Sequence, residues 1–175
     1  MTNPFEVFPK LDTPRLNLRE LKTEDAKQVL FLRSDKEVTK FIKRQIPTKI
    51  QDALDFIHKI QLGYSKRETI SWVICTINNP KMIGSICLWN YSLDRKTAEV
   101  GYDLNTSFQN RGIMTEALQA ILNFGFDTLQ LDTIKAFTHY ANENSKNLLT
   151  KNAFRLVEGE KDAGNEDNII FSIKK

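Results

Sequence analysis

The chain has 175 residues, 41% of them hydrophobic, and 25 basic against 22 acidic side chains leave a net charge of +3. A single domain of this size, spanning residues 1–175, removes about 70% of its unfolded surface from water and needs no staple. The charges are interspersed, which excludes the clustered basic stripe of a nucleic-acid binder, and no stretch is apolar for long enough to span a bilayer.

In chain order, Met1 to Pro14 carries acidic and proline residues and lacks the apolar run of a secretory signal. Arg15 to Leu21 alternates Leu16 and Leu18 with polar neighbours and reads as a strand. Thr23 is the expected cap of a helix with Glu24 and Asp25 in its first turn and Ala26, Val29 and Leu30 on its apolar side. Thr48 and Gln51 have the spacing of a capping box for a second helix running to about Tyr64. Three strands follow, Thr69 to Ile77, Met82 to Tyr91 and Thr97 to Leu104, separated by Asn78-Asn79-Pro80 and Ser92-Leu93-Asp94-Arg95 and predicted to form an antiparallel meander. Cys75 and Cys87 sit inside apolar runs and read as reduced core thiols, which points to a cytoplasmic setting.

The next stretch is the most informative. Ala98, Val100, Tyr102 and Leu104 alternate with Glu99, Gly101 and Asp103, the period of a half-buried strand. From Met114 the period becomes helical, through Ala117, Leu118, Ile121, Leu122 and Gly125 to about Leu129. Between them lies Gln109-Asn110-Arg111-Gly112, a tight turn opening a helix. Such a turn aims unpaired N–H groups at one point, beside the positive end of the helix dipole, and so forms an anion site. Thr133 to His139 reads as a strand, Asn144 to Asn152 as a short helix, and Arg155 to Glu160 and Asn168 to Ile173 as closing strands. The crossover from Val100 through the helix to Ile134 makes those two strands parallel within an otherwise antiparallel sheet. A ligand site is expected beyond their carboxyl ends, at the 105–112 loop.

Together these residues resemble the Gcn5-related N-acetyltransferase (GNAT) superfamily, in its branch of ribosomal-protein alanine N-acetyltransferase-like (RimJ/RimL-type) enzymes. The resemblance is carried by Thr13-Pro14-Arg15-Leu16, Trp72-Val73-Ile74, Ile83-Gly84-Ser85-Ile86, Ala98-Glu99-Val100-Gly101-Tyr102, Gln109-x-x-Gly112 with Thr115-Glu116-Ala117, and Asn142-x-x-Ser145 with Lys151-Asn152-Ala153-Phe154. It implies an α/β (α+β) fold with a mixed, mostly antiparallel sheet of about seven strands, about four flanking helices and one parallel pair at the cofactor cleft. It also implies acetyl transfer from acetyl-coenzyme A to an amine without a covalent enzyme intermediate, and dimerisation is compatible with it. Two positions depart from the family pattern: Met114 where a small residue is usual, and Ala153 where glycine is usual, at a strain of about 1–2 kcal/mol if φ is positive there.

On this reading the backbone N–H groups of Arg111, Gly112, Ile113 and Met114 hold the pyrophosphate, Gln109 holds the turn and Arg111 adds charge. Glu99 is the candidate general base, with Gly101 leaving room beside it, and Glu116 competes as a dipole partner of its helix. An α-amine of pKa about 7.7–8.0 is partly neutral at pH 7, whereas a lysine amine near about 10.4 needs about 4–5 kcal/mol to deprotonate. Ser145 is placed near the sulfur as proton donor and Asn142 on the pantetheine arm, and both also suit a plain helix start. Leu149 replaces the tyrosine that many relatives use as acid. The sequence contains no Gly-x-Ser-x-Gly, no Walker loop, and no metal-ligand spacing among His58, His139, Cys75 and Cys87. His139 reads as structural. Acceptor specificity is assigned to 36–66 and 89–96, and the acceptor is a protein amino terminus or a small amine. The alternative is a non-catalytic acyl-coenzyme A sensor, motivated by Met114, Leu149 and Ala153.

Overall fold

The computed structural model describes residues 5–175; Met1 to Pro4, the start of the stretch read as lacking a signal, lie outside the described residues. Eight strands form one sheet, β1 (Leu11–Asp12), β2 (Leu16–Glu20), β3 (Thr69–Thr76), β4 (Asn79–Trp89), β5 (Thr97–Leu104), β6 (Thr133–His139), β7 (Arg155–Leu156) and β8 (Asn168–Lys174). The order is β1-β2-β3-β4-β5-β6-β8-β7, and every pair is antiparallel except β5–β6. Among the described residues five α-helices accompany it, α1 (Ala26–Ser34), α2 (Lys36–Thr39), α3 (Ile50–Ser65), α4 (Ile113–Asn123) and α5 (Glu143–Lys151). The mixed sheet with its single parallel pair is the predicted one.

The sheet is covered on both faces. Ile70, Trp72 and Ile74 of β3 join Leu88, Val100 and the apolar stripe of α4 in one cluster, while Val73 and Cys75 join Val29, Leu32, Ala53 and Ile57 of α1 and α3 in the other. This explains why β3 is apolar along nearly its whole length rather than alternating. Trp72 is fully buried, its indole N–H donates to the Pro9 carbonyl at 2.6 Å, and its ring meets Phe124 edge-on. The two thiols are unpaired, as expected.

Local chemistry differs from expectation at the helix starts. Thr23 makes no cap to α1; its hydroxyl meets Glu24, and the Asp25 carboxylate takes the Lys22 N–H and pairs with Arg19. The Thr48–Gln51 box is likewise replaced by Asp52, which accepts from the N–H groups of Thr48 and Lys49, while Gln51 turns to Asp55. An aspartate satisfies two orphan donors and also favours the helix dipole, so it displaces the weaker caps. The helix after the glycine turn is α-helical only to Asn123 and ends in a π-turn over Phe124–Thr128. β4 begins at Asn79, inside the predicted turn, and β7 spans two residues instead of six.

The end of α5 carries the expected strain. Ala153 has φ +65°, its N–H donates to the Thr150 carbonyl, and the Phe154 N–H donates to Leu149, with Leu149 and Phe154 both buried. This is a Schellman motif with alanine in the left-handed position that glycine usually takes. Ala153→Gly therefore relieves about 1–2 kcal/mol of strain, offset by about 0.5–1 kcal/mol of backbone entropy. The expected outcome is a urea midpoint raised by about 1 kcal/mol of stability at unchanged slope.

Candidate active site

β5 and β6 share a ladder over only three pairs, Thr97↔Thr133, Ala98↔Ile134 and Glu99↔Lys135. Past that point they part, so β5 from Val100 and β6 from Ala136 turn backbone edges toward a common gap. β5 stays paired to β4 as far as Leu104, and β6 to β8 as far as His139. The gap lies between two strands that are each anchored on their far side.

At its mouth stands the glycine turn. Gly112 caps α4 with φ +72°, and a Cβ there would also press on Arg15 Nη2 at 3.3 Å, so glycine suits the position on both counts. The first bond of α4 is Glu116 N–H to the Gly112 carbonyl, which leaves the N–H groups of Ile113, Met114 and Thr115 without an intrahelical acceptor. Gln109 Nε2 donates to the Leu104 carbonyl at 3.0 Å and ties the turn to the strand end. The Arg111 side chain lies over Phe108, and its carbonyl accepts from Arg15 Nη1 at 3.0 Å.

Arg15 is the residue that the sequence reading passed over. Glu116 accepts from Thr13 Oγ1 (2.6 Å), the Arg15 N–H (2.9 Å) and Arg15 Nε (2.6 Å), and thereby places a half-exposed guanidinium beside Gly112. Glu116 is thus an anchor, not a free carboxylate. Burial opposes its ionisation, but the hydrogen bonds from Thr13 and Arg15 and the Arg15 charge outweigh that and hold it below the ordinary glutamate range.

Glu99 lies in the last pair of the β5–β6 ladder, where the fork opens, on the sheet face toward α1 and α3, with Gly101 and Asp103 further along the same face. Its Oε1 accepts from Asn90 Nδ2 at 2.6 Å. Its pKa is raised, first by burial and then by the charge of Asp162, against the opposing effects of Asn90 and Lys135. The room beside Gly101 is narrow: an added Cβ would meet Cys87 Sγ at 3.3 Å and Trp89 Nε1 at 3.8 Å. Burial pushes the Cys87 thiol up to about 12, so it is an inert floor rather than a nucleophile.

On the opposite face, Tyr102 reaches across the gap to Ser145 Oγ at 2.8 Å. Tyr102 was read as a core-face strand residue; its hydroxyl partner lies 43 residues away and left no local signal. Burial raises its pKa to about 12 against the lowering effect of Ser145. Asn142 caps α5 by accepting the Ser145 N–H at 3.1 Å. His139 stacks on Tyr140, meets Phe41 at a tilt and accepts the Ala141 N–H. Leu149 is fully buried. Among the described residues no group of three potential ligands could hold a metal, and no helix is long and apolar enough to cross a membrane.

A glycine turn with unpaired N–H groups at the mouth of a forked parallel pair gives an α/β domain with a place suited to an anion. The sequence model of the acetyltransferase (GNAT) domain matches residues 15–155. The chain belongs to this family of acetyl-coenzyme A-dependent acetyltransferases. It is 31% identical over 170 residues to the uncharacterized N-acetyltransferase p20 of Bacillus licheniformis, covering 94% of this chain and 96% of that one. It is 29% identical over 149 residues to the uncharacterized N-acetyltransferase YoaA of Bacillus subtilis, covering 85% and 84%. In structure it is similar to RimL, a ribosomal L7/L12 alpha-N-protein acetyltransferase in complex with coenzyme A, with TM-score 0.82, 18% identity, and 95% and 98% of the two chains covered.

The Glu116 anchor has a pH signature. A carboxylate with a depressed folded-state pKa contributes stability above its unfolded value and loses it as pH falls through the folded value. The unfolding free-energy gap between the wild type and Glu116→Gln is expected to be largest at neutral pH and to close below the ordinary glutamate range, as read by urea titrations at a series of pH values.

Proposed function

We propose that this chain moves an acetyl group from acetyl-coenzyme A directly to a primary amine, an amino-terminal α-amine or a small-molecule amine, within a ternary complex. The observation that carries it is the half-buried Glu99 at the base of the fork whose mouth bears the Gly112 turn, its pKa raised by burial. The bound thioester supplies an acetyl group activated for attack. The N–H groups of Arg111, Gly112, Ile113 and Met114 hold the pyrophosphate, Gln109 keeps their turn against Leu104, and Arg15 and Arg111 add charge. The open backbone edges of β5 and β6 would hold the pantetheine arm, and Asn142, whose Oδ1 is engaged as the cap, has its amide N–H groups left to donate to it.

Glu99 takes the proton from the ammonium, directly or through water. Burial raises its pKa and makes it a better base than an ordinary glutamate, while the Asn90 bond opposes that rise by stabilising the carboxylate. Ser145 would hydrogen-bond the departing sulfur and relay to it the second proton that the amine loses as the amide forms. Tyr102, protonated at any physiological pH, steadies the Ser145 hydroxyl. The resemblance to a ribosomal-protein α-N-acetyltransferase supports an α-amine acceptor, which asks least of the base.

The test is thiol release from acetyl-coenzyme A across peptides with free amino termini, polyamines, amino acids and aminoglycosides. Release with an amine class, reduced about 100-fold in kcat by Glu99→Gln, is expected; coenzyme A binding with silence across the panel would favour the sensor instead. Asn90→Ala removes a bond that stabilises the carboxylate, so the acid limb of the kcat/KM profile moves to higher pH. An unmoved limb would take Glu99 out of the base role.

A further inference from the structure

The sheet face that carries Glu99 holds a second group of charges that acetyl transfer does not use. Asp103 Oδ1 accepts from the Ser85 N–H at 3.1 Å and from Ser85 Oγ at 2.7 Å. Its Oδ2 lies 3.9 Å from Arg44 Nη1, and both side chains are largely buried. Arg44 Nε and Nη2 are shut off from solvent and have no partner among the described residues. Those two atoms form one edge of the guanidinium, whose parallel N–H bonds match the two oxygens of a carboxylate. Buried donors left unpaired are costly, so such an edge is suited to an acceptor that arrives with a ligand.

Arg33 lies in the same region. Its guanidinium stacks 3.8 Å over the Phe56 ring, and burial and the Arg44 charge bring its pKa down to about 10. Two guanidinium groups therefore face one carboxylate that Ser85 already engages, and the local charge is positive. A cavity between α1, α3 and the sheet reaches Arg33, Ser85 and Asp103. The segment bearing Arg44 crosses the fork: Phe41 touches His139 at the end of β6, Lys43 pairs with Asp167 before β8, and Arg44 meets Asp103 near the end of β5.

We propose that the free edge of Arg44, with Arg33 beside it, is an acceptor subsite for a carboxylate, so that the preferred acceptors are peptides carrying an acidic side chain close to a free amino terminus. The inference rests on the transfer reading, because it seats the amine at Glu99. Asp103 lies four residues beyond Glu99, about 13 Å along an extended strand. A free α-amino acid, with both groups on one carbon, cannot span that distance. An extended peptide covers about 3.3–3.6 Å per residue, so the distance takes close to four residues, and the reach of the side chain itself places the acidic residue at the third or fourth position.

The experiment compares two tetrapeptides, identical except for Glu or Gln at the third position, by calorimetric binding to the coenzyme A-loaded protein and by acetylation rate. The Glu peptide is expected to bind about tenfold tighter or more. Arg44→Gln brings that ratio close to one, and Arg44→Lys, which keeps the charge without the edge, restores only part of it. Arg33→Gln reads the same ratio should Arg44→Gln fail to fold. Equal binding of the two peptides by the wild type, or a ratio that neither Arg44→Gln nor Arg33→Gln changes, would overturn the subsite. So would an Arg44→Gln loss confined to coenzyme A affinity, which would assign the edge to the cofactor. An acidic preference in binding without acetylation supports the subsite and overturns the transfer reading alone.

Discussion

β5 and β6 run side by side for three residue pairs and then diverge, and the geometry of the site depends on that divergence. A backbone edge without a ladder partner exposes N–H and C=O groups that must be satisfied by something else. The gap is sustainable because each strand keeps a long antiparallel ladder on its other edge, β5 to β4 and β6 to β8. The fork thus has rigid walls and an unsatisfied interior. The Tyr102–Ser145 hydrogen bond ties a strand on one wall to the helix that follows the other.

The parallel direction of the pair has a second effect. It requires a crossover, and the crossover is α4, so the helix that seals one face of the sheet also brings its positive end to the mouth of the fork. The alternation of β5 then distributes the chemistry. Tyr102 falls on the α4 face, whereas Glu99 and Asp103 fall on the face covered by α1 and α3. That second face is where the Arg44 segment crosses, and it is the richer in charge.

Periodicity made β2 to β6, β8, α3 and α4, and the parallel pair legible, because each depends on residues close in sequence, whereas the two-residue β1 is too short to show a period. The glycine turn was legible for the same reason, and so was the positive φ at Ala153, through the resemblance. Features built by distant partners were not. Arg15 reaches the turn because Glu116, about a hundred residues away, accepts from both its backbone N–H and its Nε. Tyr102 looks like any alternating strand residue until Ser145 arrives. Arg33 and Arg44 sit in a stretch with no compositional signature, and only the fold brings them to Asp103. The caps failed for a more local reason: aspartate outcompeted threonine within one turn, at Asp25 and again at Asp52.

The grip of Glu116 on Thr13 and Arg15 also bears on the order in which the molecule becomes competent. Contacts of such long sequence separation form late, since closing a large loop costs entropy before any contact compensates it. During synthesis, a chain that has emerged only as far as β4 already contains Arg15 but has nothing to hold it. The guanidinium reaches its place beside Gly112 only when the first strands and the fourth helix have docked. A complete anion turn is therefore evidence that the two halves of the chain have met, and half-made molecules lack it.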